Sequence, residues 1–178
     1  EKGAAYIMEE NVTRYTAVPF DEFSGNVIRR LQAKQESLLP RMPRRQTQMQ
    51  GYLTIRGREQ IMDKLITMIL ETRQRLYISV PPEILTQILP YLHRQVEEEK
   101  RVVILSGTPC PLEGAVSYVT GKEDDQIRLI VDSTRVLTGR ISDGEDSTCL
   151  FSQNRNLVDI FKQMLKNEIT LIQMGKQV

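Results

Sequence analysis

These 178 residues contain no tryptophan, one histidine and two cysteines, and each scarcity removes a class of chemistry. Histidine is the usual general base near neutral pH. The single copy, His93, lies between Leu92 and Arg94 in a helical stretch with no metal-ligand set around it, so it reads as a helix-surface or core-edge residue. Cys110 and Cys149 lack Cys-x-x-Cys spacing, fit neither a disulfide framework nor a zinc site, and read as thiols. The glycines are scattered: Gly51, Gly57, Gly107, Gly114, Gly121 and Gly139 form neither a P-loop nor a dinucleotide fingerprint. With no Gly-x-Ser-x-Gly elbow either, nucleotide hydrolysis and triad hydrolysis are not expected, and no cofactor or metal is implied. No run approaches the roughly 18 apolar residues of a membrane helix, and the N-terminus has no signal pattern, so a cytoplasmic protein without membrane contact is expected. Lys plus Arg number 24 and Asp plus Glu 23, so no whole-protein field favours wrapping nucleic acid, and any DNA contact is local or lies elsewhere.

What is present is enough apolar material, 40%, for one core with an appendage. The opening Glu-Lys-Gly leads into a polar, strand-like stretch with nothing before it to pack on, which reads as a piece cut from a longer chain. Residues 4–18, with Tyr6, Ile7, Val12, Tyr15 and Val18 among charges, suit a two-stranded ribbon turning near Glu9 to Asn11. From Pro19 the period becomes helical: Asp21 and Glu22 sit where a helix start favours acids, and Phe23, Val27, Leu31 and Leu38 form a narrow stripe. Such a stripe suits a two-helix seam between subunits, or packing of the helix on its own domain. Residues 40–50 (PRMPRRQTQMQ) have no period and read as a linker whose Arg41, Arg44 and Arg45 are either phosphate contacts or a solvated charge run.

Beyond the linker, apolar runs alternate with amphipathic helices: Tyr52 to Ile55, a helix over 58–73, Leu76 to Val80, a helix over 83–99, and Val102 to Leu105. The runs are continuous rather than alternating, as in strands covered on both faces, which predicts an α/β fold with a mixed, largely parallel sheet flanked by helices. Residues 109–121 read as a loop region. Ile127 to Val131 and Arg135 to Ile141 read as a hairpin turning at Asp132-Ser133-Thr134, followed by a strand over Thr148 to Phe151. A last helix over 155–167 starts at Asn154 or Asn156, and Ile169 to Ile172 reads as an added edge strand.

Ligands in such folds bind beyond the carboxyl ends of parallel strands. The polar residues just past the expected strands are Ser79, Ser106, Thr108, Asp132, Arg135, Ser152 and Asn154, with Arg56 ending the first strand beside Gly57. These eight are the candidate effector-binding set. For each, a purely structural use competes: Asp132 and Ser133 as a turn, Asn154 as a helix cap.

The segments TRYTAVPFDEF (13–23), GYLTIRGREQIMDKLITMILETRQRLYISVPPEILTQILPYL (51–92), LIVDSTRVLTGRI and TCLFSQNRNLVDIF (129–161) resemble TrmB-type transcriptional regulators over nearly the whole chain. The resemblance implies residues 1–18 as the remnant of a winged-helix wing, 19–39 as a dimerisation helix carrying Phe23, Val27, Leu31 and Leu38, 40–50 as linker, and 51–178 as a phospholipase D-like effector-binding domain. It implies a homodimer, operator DNA bound through a winged helix-turn-helix domain N-terminal to this chain, and a small-molecule effector such as a sugar or sugar phosphate. Phospholipase D enzymes carry His-x-Lys-(x)4-Asp. Aligning that aspartate with Asp132 puts Ile127 at the lysine and Asp125 at the histidine, so the resemblance implies a sensing scaffold rather than an enzyme. The alternatives are a phosphodiesterase or nuclease of the phospholipase D type with another base, and a scaffold domain with no ligand. No tryptophan and 6% aromatic content also leave few stacking platforms for a sugar.

Overall fold

The structure, a computed structural model, describes residues 4–9, 13–42, 51–121, 125–142 and 146–175. The chain divides into two compact units, Glu1–Thr47 and Gln48–Val178.

In the first unit, β1 (Ala5–Glu9) and β2 (Thr13–Ala17) form an antiparallel ribbon in register from Ala5 opposite Ala17. Residues 10 and 11 of its expected turn lie outside the described residues. Helix α1 (Phe20–Leu38) starts after Pro19, whose fixed φ suits a helix entry, with Asp21 and Glu22 in the first turn. The Tyr6 hydroxyl donates to the Glu22 carboxylate and ties the ribbon to the helix. None of the 19 residues of α1 is buried, and Leu31 is 62% exposed. Of the expected linker, Pro40 and Arg41 close a short 3-10 turn and Met42 follows extended, while residues 43–50 lie outside the described residues.

The second unit is built on a seven-stranded mixed sheet in the order β3-β9-β8-β7-β4-β5-β6. Its strands are β3 (Tyr52–Arg56), β4 (Arg75–Ser79), β5 (Arg101–Ser106), β6 (Val116–Val119), β7 (Gln126–Val131), β8 (Arg135–Arg140) and β9 (Thr148–Ser152). Five strands (β3, β4, β5, β6, β8) run one way, while β7 and β9 run the other way between them. The parallel majority expected from the apolar runs therefore holds for strand direction. It does not hold for neighbours: parallel ladders join only β4-β5 and β5-β6, and the other four ladders are antiparallel.

Helices α2 (Arg58–Leu70) and α3 (Pro82–Glu97) cover one face, where Ile61, Leu65, Met68, Ile84, Ile88 and Leu92 meet Leu76, Ile78, Ile104 and Leu129. Helix α4 (Arg155–Gln173) covers the other, with Val158 and Leu165 against Val103, Ile130 and Val136. Burying each such aliphatic side chain stabilises the fold by about 1.5–3 kcal/mol.

Three boundaries differ from the sequence expectation. Helix α2 stops at Leu70: the N–H groups of Glu71 and Thr72 still bond back to Thr67 and Ile69, but those of Arg73, Gln74 and Arg75 are taken by the Asp132 carboxylate at 2.9–3.1 Å, which draws the chain out into β4. The region expected as loop contains β6, a four-residue edge strand whose mixed polarity gave no period. Residues 169–172 are helical rather than an edge strand: Leu165, Ile169 and Ile172 continue the α4 stripe onto the sheet, and packing overrides the β-branched Ile-Thr pair. The Asp132-Ser133 turn is as expected, with both residues left-handed (φ 50° and 53°), a conformation Asp tolerates better than most.

Candidate functional site

Because five strands share a direction, their carboxyl ends meet at one edge of the sheet. A cleft of about 840 Å³ lies across that edge. The residue or two after each of these strands lines it: Arg58 after β3, Val80 after β4, Gly107 and Thr108 after β5, Thr120 after β6, Ile141 and Ser142 after β8. The start of β7 contributes Asp125 and Gln126, α3 contributes Glu83, and α4 reaches in with Glu168. Gly57, at φ 91°, makes the sharp exit from β3 that launches α2 and places Arg58; a residue with a Cβ is strained there.

The cleft's buried charges are Arg128 and Glu168, 9% and 4% exposed, with Arg128 Nη1 at 3.1 Å from Glu168 Oε2. Arg128 Nη2 also donates to Gln126 Oε1 at 2.7 Å, and the Thr120 hydroxyl donates to Glu168 Oε1 at 3.4 Å. Buried charge is tolerated only when paired and hydrogen-bonded, and this network pairs both. Above it, Arg58 Nη1 donates to the Ser142 carbonyl at 3.4 Å, and the carboxylates of Glu83 and Asp125 reach solvent. The first turn of α3 has no side-chain cap, so amides of Glu83 and Ile84 face the cleft's end of the sheet uncapped. Ser106, just before Gly107, is 1% exposed, and its hydroxyl has no hydrogen-bond partner among the described residues.

The structure divides the eight expected effector-binding residues between opposite ends of the sheet. Ser79 and Thr108 line the cleft, Ser106 adjoins it, and Arg56 is exposed at the same end on the edge strand β3 without lining the cleft. Asp132, Arg135, Ser152 and Asn154 are at the other end. The reason is strand direction: β7 and β9 run against the other five, so residues following them emerge on the far side. There each has a partner within the fold. Arg135 pairs with Glu71, Ser152 Oγ donates to the Gly51 carbonyl at 2.7 Å, and Asn154 Oδ1 accepts from Asn156 and Leu157 to cap α4.

Burial alone raises the Asp132 pKa, but its three backbone donors, aided by the Arg135 charge, outweigh that and hold the carboxyl below its ordinary value. A depressed carboxyl stabilises the fold above the unfolded pKa, near pH 4, and that contribution disappears as pH falls through the lower folded value. Asp132→Asn is thus expected to unfold more readily at pH 7, and to lose less further stability than the native chain between about pH 4 and pH 2. Urea melts at a series of pH values check this; parallel curves would remove the carboxylate's role.

Sequence reasoning missed Arg128, Glu168, Thr120 and Gln126. One signal was available: an arginine inside the apolar run Ile127-Arg128-Leu129-Ile130 must find a partner if that strand is buried. His93 is 61% exposed on α3, its Nδ1 3.3 Å from Glu97 Oε1. Both cysteines are free, and burial pushes the Cys149 thiol up to about 12. At the positions aligned with the phospholipase D motif, Asp125 lines the cleft, Ile127 is in the core, and Asp132 is at the far end of β7. Among the described residues, no helix is long and apolar enough to cross a membrane.

Compared by sequence with curated proteins, the chain finds no match. Among solved structures it is similar to TrmBL2, an archaeal chromatin protein whose structure shows a novel mode of DNA binding. That likeness has a TM-score of 0.57 at 15% identity, over 93% of this chain and 75% of that one. It is also similar to NucT from Helicobacter pylori, with a TM-score of 0.55 at 10% identity over 67% of this chain and 97% of that one. A third likeness is to Nuc from Salmonella typhimurium, a phospholipase D family member, with a TM-score of 0.50 at 11% identity over 67% and 94%. At these identities the likenesses establish the fold as phospholipase D-like. By sequence, residues 52–168 match the family model for the N-terminal subdomain of the effector-binding domain of the transcriptional regulator TrmB, and the chain belongs to that family of regulators.

Proposed function

We propose that this chain is the effector-sensing and dimer-forming part of its regulator, not an enzyme, and that the cleft at the strand ends is the effector site. The observation that carries this is the convergence of five strand ends on one polar cleft whose buried charges already neutralise each other. With Arg128 and Glu168 paired, the site favours a ligand recognised by hydrogen bonds rather than by one net charge. Ser79, Thr108, Thr120, Gln126 and Asp125 supply donors and acceptors for a multiply hydroxylated effector such as a sugar or sugar phosphate. Among the described residues no aromatic side chain lines the cleft, so recognition there is polar rather than by stacking.

Helix α1 is the dimer seam in this reading. Phe23, Val27 and Leu31 recur every four residues and Leu38 follows seven later, on a helix with no buried residue, and a second copy covers such a stripe most simply. The β1-β2 ribbon is then the end of the winged-helix wing, leading towards a DNA-binding domain N-terminal to this chain. An effector matters only if it prefers one dimer arrangement, and about 1–3 kcal/mol of coupling changes operator affinity five- to a hundredfold.

The test is thermal unfolding with glucose, maltose and glucose 6-phosphate, since a ligand that binds only the native state raises the midpoint. A saturable rise that Asp125→Asn and Thr108→Ala diminish is expected. Silence across the panel removes a sugar effector from the account. Leu31→Asp is expected to halve the mass measured by light scattering, and an unchanged dimer would exclude α1 as the seam.

The phospholipase D-like fold keeps a phosphodiesterase as the second reading. Among the described residues, those lining the cleft include no histidine, lysine or cysteine, so they supply neither that family's nucleophile nor its phosphate-binding amine. Hydrolysis of bis(4-nitrophenyl) phosphate that Asp125→Asn or Asp132→Asn abolishes would favour the enzyme instead.

A further inference from the structure

A second concavity, about 380 Å³, lies between the C-terminal half of α4 and the β4-β5-β6 side of the sheet. We propose that it binds a small soluble amphipathic anion, an apolar body carrying a carboxylate. Its chemistry is unlike that of the strand-end cleft. The floor is apolar and fully formed, with Val103, Ile130 and Leu165 each no more than 2% exposed. The rim carries three cations, Arg101, Lys162 and Lys166, and among the described residues no carboxylate lines the groove.

All three cations are exposed and none forms an ion pair among the described residues. Lys162 and Lys166 stand one helical turn apart, a like-charge spacing that is unfavourable until an anion arrives. Two phenols complete the wall. The Tyr118 hydroxyl is held by a 3.1 Å bond from Gln173 Nε2, while the Tyr77 hydroxyl has no partner among the described residues and is available to donate. An apolar floor with convergent cations and a free phenol matches a carboxylate on an alkyl or aromatic body in both shape and charge. A flat bilayer does not reach the recessed floor. A nucleic-acid backbone has no apolar body to place in the recess.

Octanoate is the probe, with 1-octanol as its neutral counterpart, followed by amide chemical shifts of the labelled protein. Saturable shifts at Val116–Val119 and around Leu165 to Thr170 are expected, with a dissociation constant of roughly 1 mM, as suits so small a ligand. Octanol, and octanoate added to Lys162→Glu/Lys166→Glu, should bind about tenfold more weakly. Both substitutions are on exposed positions, and an otherwise unchanged spectrum certifies the fold. The proposal is overturned if octanoate moves none of these amides, if octanol and the charge-reversed variant behave like the originals, or if duplex DNA or phosphatidylglycerol vesicles perturb them and octanoate does not.

Discussion

Glu168→Ala is expected to destabilise the second unit by about 3 kcal/mol, because it strips a buried guanidinium of the carboxylate it faces. Arg128 is 7% exposed overall and its Nη1 lies 3.1 Å from Glu168 Oε2, so little solvent contact offsets the lost partner. Thr120 loses an acceptor in the same step. The midpoint should fall by roughly 10 °C for a chain of this size. Replacing the pair together, as Arg128→Met/Glu168→Leu, should recover most of that loss, since a buried pair weighs little against apolar groups of similar volume once neither charge is stranded. Denaturant melts of Arg128→Met, Glu168→Leu and the double give the coupling directly. If the singles and the double are equally mild, solvent compensates the lost partners and the pair is not held as a buried network.

The double variant also separates stability from sensing. A folded chain with an apolar floor should lose any sugar-dependent thermal shift, because Gln126 and Thr120 would then face methyl groups instead of Arg128 and Glu168. A shift that persisted would move the effector site elsewhere.

Much of the architecture was legible because the apolar patterns are long. The stripes of α2 and α3, the continuous runs of β4, β5 and β7, and the hairpin at Asp132-Ser133 follow from period and turn chemistry. Strand order was not legible, and that decided the site. Ser79 and Ser106 end strands that run with the majority, whereas Asp132 follows and Ser152 ends the two that run against it, and nothing local in Leu129-Ile130-Val131-Asp132 reports direction. The segment Ile169 to Ile172 misled for a related reason. Local β-branching argues strand, but the stripe that buries Leu165 also carries Ile169 and Ile172, and it placed Glu168 against Arg128 one residue earlier. Glu168 falls between the expected end of the last helix at residue 167 and the expected edge strand from Ile169, so its partnership with Arg128 depended on the helix running on.

Gly139→Ala should cost about 3 kcal/mol, although it adds a single methyl group to a strand. Gly139 sits in β8, paired on either side by β7 and β9, opposite Ile127 and Cys149. A Cβ there would stand 2.2 Å from the Thr148 carbonyl oxygen and 2.6 Å from the Cys149 Cα, both backbone atoms that cannot rotate away. The ladder must separate, and Arg140 and Ile141, which lead into the cleft, would move with it. Glycine in a strand interior often marks such a close approach of backbones. In Gly25→Ala the same change meets nothing within 4 Å on the exposed helix α1, so there it should stabilise the helix by about 1 kcal/mol through propensity alone. Denaturant midpoints that move in opposite directions for the two variants would show that β8 and β9 leave no room for a side chain at this point. A Gly139→Ala chain as stable as the original would mean the ladder has slack, and the cleft's edge at Ile141 and Ser142 would then be less rigid than its hydrogen bonds imply.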